Sequence, residues 1–135
     1  MANVLYDNGR EGYLDGTLNW LTDDVRAILV DTGLYGPNFA TDKFLISIPV
    51  GARISVSSSL TTKTATAGVA DADDVSFVAV VGATVEAIVL YKHTGADATA
   101  RLIAYIDTAA GLPFLPSGGN VAIQWDNGAN KIFRL

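Results

Sequence analysis

At 135 residues the chain suits one domain and leaves no room for a second. Nine Lys and Arg against fourteen Asp and Glu give a net charge of −5, so the molecule repels a phosphate backbone and nucleic acid is excluded as an expected partner. With no Cys there are no disulfides, thiolate nucleophiles, zinc ribbons or iron–sulfur clusters, and the redox compartment stays open.

Half of the residues are hydrophobic and the mean hydropathy is +0.31, yet no apolar run reaches the roughly 18 residues that a membrane helix needs. The segment from Met1 to Asp7 lacks a basic region followed by an apolar core, so no secretory signal and no membrane partner are expected. Charged residues make up 17% of the chain, below the roughly 25% of ordinary soluble domains. Two explanations stay open: neighbours cover part of the surface, or a β-sandwich turns Ser and Thr to water.

In chain order, a helical segment is expected over about residues 3–16. Its pattern runs from Val4 to Gly16, with Leu5, Tyr13 and Leu14 as an apolar stripe that Gly9 and Gly12 weaken. Leu18, Trp20 and Leu21 form a short apolar alternation before a turn at Asp23-Asp24. Residues 25–30 are continuously apolar apart from Arg26 and read as a central strand. A turn-rich loop over 31–38 follows, then a short helix capped by Thr41-Asp42, displaying Phe44, Leu45 and Ile48 and closed by Pro49.

From Ala52 the period becomes two, with Ala52, Ile54 and Val56 on one face and Arg53, Ser55 and Ser57 on the other. A Thr-rich strand is expected over 60–66, then strands over 75–81, 85–92 and 100–107 as consecutive antiparallel neighbours, the first covered on both faces. Pro113, Pro116 and the glycines make 111–119 an exposed loop carrying Phe114 and Leu115. Residues 121–125 and 131–135 flank an Asn- and Gly-rich turn and predict a terminal hairpin. The sum is a mainly β, single-domain antiparallel β-sandwich or Greek-key barrel over 1–135, with one or two short helices near the N-terminus.

Most candidate chemistry fails on its residues. His93 is the only histidine, placed at a strand end, and no Gly-x-Ser-x-Gly elbow presents a nucleophile. One His without Cys excludes the usual zinc sites. Asp71, Asp73 and Asp74 resemble a calcium loop, but no Glu stands at the twelfth position, and turn chemistry is the simpler use of such a cluster. Gly33-x-x-Gly36 and Gly118-Gly119 lack the Lys-Ser/Thr of a phosphate loop. No cofactor, no metal and no enzyme activity are expected. The remaining handle is a set of aromatics on expected loops, Tyr35, Phe39 and Phe114, suited to stacking on a sugar or packing into a partner.

Several segments carry a resemblance: Leu5-Tyr6-Asp7-Asn8-Gly9-Arg10-Glu11, Leu14-Asp15-Gly16, residues 25–32, Gly51-Ala52-Arg53, Gly68-Val69-Ala70-Asp71-Ala72, Leu90-Tyr91-Lys92, residues 102–107 and Trp125-Asp126-Asn127-Gly128. Over nearly its whole length the chain resembles small structural proteins of tailed bacteriophage virions. That resemblance implies a capsid decoration or cement protein, made in the host cytoplasm and residing in the virion. Its partners would be the major capsid protein or other virion proteins, and trimers at local threefold positions are the assembly it implies. A head–tail or tail position, or a tail-borne glycan-binding module, is the alternative. The contact residues expected from the sequence are Tyr6, Arg10 and Tyr13 in the N-terminal segment, and Tyr35, Phe39, Phe114 and Leu115 on loops. For each, ordinary local packing is the competing reading.

Overall fold

The longest apolar runs build the centre of the molecule. In the computed structural model, which describes residues 3–107 and 109–135, the chain forms β1 (Val4–Leu5), α1 (Asp7–Asp15), β2 (Val25–Val30), β3 (Arg53–Val56) and β4 (Val69–Ala70). It continues through β5 (Val75–Phe77), β6 (Ala87–Lys92), β7 (Leu102–Ile106), β8 (Val121–Ile123) and β9 (Phe133–Arg134). Met1, Ala2 and Thr108 lie outside the described residues. A five-stranded antiparallel sheet runs in the order β1-β7-β6-β2-β3, and two ribbons, β4-β9 and β5-β8, stand apart from it. The fold is mainly antiparallel strand with one α-helix near the N-terminus, and it is not a closed barrel, because the edge strands β1 and β3 do not pair with each other.

Side-chain alternation sorts the sheet into two cores. Ile28, Val30, Ala87, Val89 and Tyr91 point to one face, where Tyr6, Tyr35, Leu45 and Ile48 cover them. Ala27, Leu29, Ile88 and Leu90 point to the other, against Phe77, Val80, Ile123, Trp125, Ile132 and Phe133 of the ribbons and their flanks. The ribbons thus form the second layer of a sandwich-like arrangement. Because both faces are covered, β2, β6 and β7 are apolar almost throughout.

Helix α1 begins later than its pattern predicts, since Val4 and Leu5 pair with Tyr105 and Ala104 of β7 instead. Gly16, at φ 83°, ends it in the left-handed conformation that glycine adopts without steric cost. The expected apolar stripe holds at Leu5 and Tyr13, which join the core, but not at Leu14, which is 89% exposed, and within the helix Gly9 and Gly12 are the buried positions. A Cβ on Gly9 would stand 2.7 Å from the carbonyl oxygen of Ile103, so the glycines bring the helix backbone onto β7. Arg101, buried beside β7, fastens this packing: Nε donates to the Asn8 carbonyl at 2.9 Å and Nη1 to Thr17 Oγ1 at 3.1 Å.

Five further expectations are corrected. The helix after the 31–38 loop shrinks to one 3-10 turn, Leu45–Ser47, because Asp42 accepts from the Asn38 N–H and the Tyr35 hydroxyl and caps nothing. In β3 a register shift opposite Leu29 and Val30 breaks the alternation, so Val56 is 46% exposed and Ser57 is buried, its Oγ accepting from the Ala27 N–H. Residues 60–66 form no strand: Thr62 sits at φ 54°, and a single bridge joins Thr64 to Asp71. The strand expected over 75–81 is three residues long, pairs with β8 and leaves Val78 and Val81 exposed. The terminal hairpin does not form. β8 pairs with β5 and β9 with β4, so the Asn127-Gly128 turn carries the chain from one ribbon to the other.

Candidate interaction surfaces

Three of the seven expected contact residues meet in the interior. The Tyr6 and Tyr35 hydroxyls lie 2.8 Å apart, and Tyr35 donates to Asp42 Oδ2 at 2.8 Å. A phenol has one proton, and that of Tyr35 goes to Asp42, so Tyr6 donates to Tyr35. Phe39 packs on Tyr6 at 5.3 Å and on Tyr105 at 5.6 Å. Burial lifts the Tyr6 and Tyr35 phenols well above the usual tyrosine range, and both stay protonated. Tyr35 was expected on the surface; it is 4% exposed, because the 31–38 loop folds back over the sheet and buries the ring. Phe39 is half-buried.

Arg10 is exposed on α1, and Tyr13 is half-buried against the core. Arg10 pairs with Asp7 Oδ1 at 3.1 Å and donates to the Leu5 carbonyl at 3.3 Å. The Tyr13 ring packs on Phe133 at 6.0 Å, and burial raises its phenol above the usual range. Between α1 and the C-terminal strand runs an apolar groove of about 270 Å³, lined by Tyr13, Leu18, Trp20, Leu21, Phe133 and Leu135 among others. It continues across Tyr13 and Leu135 into a depression bounded by Arg10, Leu14 and Arg134. A third, more polar cleft of about 220 Å³ adjoins it and adds Lys131, so three of the nine cationic side chains gather here.

A second apolar surface lies where 78–81 meets 114–119. Val80 donates to the Gly119 carbonyl and Gly118 to that of Val80, holding the two loops together. Val78, Val81 and Leu115 are exposed, Leu115 by 72%. Phe114 is half-buried, and its backbone exchanges two hydrogen bonds with Val85 at 2.8 and 3.0 Å. The sequence reading missed Val78 and Val81 because a run of valines reads as buried strand. It missed Leu14 because helical spacing alone hides the close approach of glycines.

The acidic cluster is divided among separate uses. Asp71 lies 3.7 Å from Lys131 Nζ, Asp73 accepts from Thr62 Oγ1 at 2.7 Å, and Asp74 accepts from the Trp125 N–H at 3.1 Å. Among the described residues no three His, Cys, Asp or Glu side chains are grouped to hold a metal ion. His93, just past the end of β6, is half-buried against the Tyr91 ring at 6.2 Å. No described helix is long and apolar enough to cross a membrane. A scan against protein-family models returns no match for the chain, and a search of curated proteins returns no significant relative.

Proposed function

We propose that the chain is a non-enzymatic structural protein of a tailed bacteriophage virion, a decoration or cement protein that binds the capsid and stabilises it. The observation carrying this reading is the presence of two exposed apolar surfaces with no lining residue in common, the α1 groove and the loop pair around Val81 and Leu115. A bridging protein needs contact area in more than one direction. Interface centres are apolar, as the floor of the α1 groove and the exposed valines and Leu115 of the loop pair are, with the cations of the groove at its edge. Contacts repeated over a symmetric shell then sum to a resistance that no single contact provides. The acidic exterior disfavours adhesion to DNA.

On this reading the loop pair meets the shell, supported by the exposure of Val78, Val81 and Leu115. The rival glycan-binding reading depended on Tyr35, Phe39 and Phe114 as a stacking platform, and none of the three presents a fully exposed ring. Incubating the purified chain with expanded shells lacking it, and in parallel with host cell-wall glycans, tests the proposal. Saturable, stoichiometric binding to shells is expected. Binding to glycans alone would refute it.

A further inference from the structure

We infer that the α1 face joins two copies of this chain about a two-fold axis, Leu14 of each copy seating in the groove of the other. This deepens the preceding reading by naming the partner of one of its two surfaces, and it rests on that reading only in treating the α1 groove as a place of contact.

The argument begins with what the groove requires of an occupant. Its floor is apolar, formed by Trp20, Phe133, Leu135 and the Tyr13 ring, and Arg10 and Arg134 stand at one end. Arg134 has no carboxylate partner among the described residues, and Arg10 has only the exposed Asp7. The complement is an apolar side chain flanked by carboxylates. Helix α1 presents that combination. Leu14 is 89% exposed, and beside it stand Glu11 and Asp15, whose side chains are 58% and 42% exposed. Glu11 approaches Arg101 only at 3.8 Å, and Asp15, whose Oδ1 accepts from the Thr17 N–H and hydroxyl, keeps Oδ2 4.0 Å from Arg101, so Glu11 and the Asp15 Oδ2 have lone pairs to offer a second cation.

A helix of nine residues places Arg10 and Leu14 one turn apart, and the groove opens beside them. Projection and recess therefore belong to one face. A face that carries both halves of its own complement pairs with itself isologously, and the two-fold closes the assembly at two copies. Rings of three, which need two different patches, are not what this face builds. A chain with net charge −5 opposes its own association at long range, so the contact depends on the local cations meeting the helix carboxylates.

The test is sedimentation equilibrium of the full chain in low and high salt, for wild type, Leu14→Glu, Arg134→Glu, and Leu34→Glu as an exposed leucine remote in sequence from α1. The expected result is a monomer–dimer equilibrium that weakens with salt, a dissociation constant raised at least about thirty-fold by Leu14→Glu, a smaller rise with Arg134→Glu, and none with Leu34→Glu. Circular dichroism checks that the variants stay folded; Arg134→Glu, at an exposed site, carries the test if Leu14→Glu does not fold. A wild type that stays monomeric, that forms trimers, or whose dimer ignores both α1-face substitutions overturns the inference. A monomer that saturates shells overturns this inference and leaves the virion reading standing; a dimer that binds no shell does the reverse.

Discussion

Buried Tyr6 and Tyr35 and half-buried Asp42 hold the 31–52 segment onto the sheet by a directed chain of hydrogen bonds. Removing the Tyr35 hydroxyl leaves the Tyr6 donor without its acceptor and Asp42 without one donor, so Tyr35→Phe is expected to cost about 1–3 kcal/mol in urea denaturation at pH 7. The same residues set an alkaline limit. A phenol whose folded value is raised by burial contributes stability that is fully present below the unfolded value, about 10, and is lost as pH rises beyond it. Stability of the wild type should therefore fall above about pH 10, and Tyr35→Phe should flatten that decline. At the acid end, the Arg26 hydrogen bond, reinforced by Ser59, holds the Asp24 carboxyl below its usual range. Its contribution is present above the unfolded value, about 4, and is lost as pH falls through the folded one, so Asp24→Asn should show a shallower acid transition. None of this was legible in the sequence. Tyr35 stands among Gly, Pro and Asn, and a loop composition does not reveal that the loop lies across a sheet.

At the scale of elements, legibility followed the length of the apolar run. β2, β6 and β7 were readable because six, six and five successive residues are buried or nearly so, and no surface segment imitates that. The ribbons were not readable: β4 and β9 are two residues long and are paired across more than sixty positions, so neither leaves a periodic trace. Local turn chemistry at Asn127-Gly128 pointed to a hairpin, and tertiary pairing overrode it. Helix α1 is the instructive case, since the residues that lower helix propensity are the ones that allow it to dock. Gly9→Ala gains about 1 kcal/mol of intrinsic propensity but drives a methyl into backbone at 2.7 Å, and a net fall in melting temperature is expected. At Gly12 the nearest obstacle is the Leu18 side chain, which can shift, so Gly12→Ala should cost less. Arg101→Ala removes two hydrogen bonds from a buried guanidinium. Amide exchange over α1 should accelerate more than over β6, and Lys, lacking the planar fork, should not restore it.

For the whole molecule, the sheet and its two cores act as a scaffold that holds two apolar surfaces in fixed relation to the rest of the chain. The fold class was legible from strand spacing and turn chemistry, and of the seven expected contact residues, Arg10, Tyr13 and Leu115 stand on these surfaces while Tyr6 and Tyr35 are spent on the interior. Sequence reasoning selects aromatics as anchors, but aromatics also fill cores, and only packing distinguishes the two uses. The most direct test of the account is hydrogen–deuterium exchange of the chain free at submicromolar concentration and bound to expanded shells. Slowed exchange is predicted at 78–81, 114–119 and 7–15, with β2, β6 and β7 unchanged; no slowing at 78–81 and 114–119, or slowing confined to other segments, would contradict it.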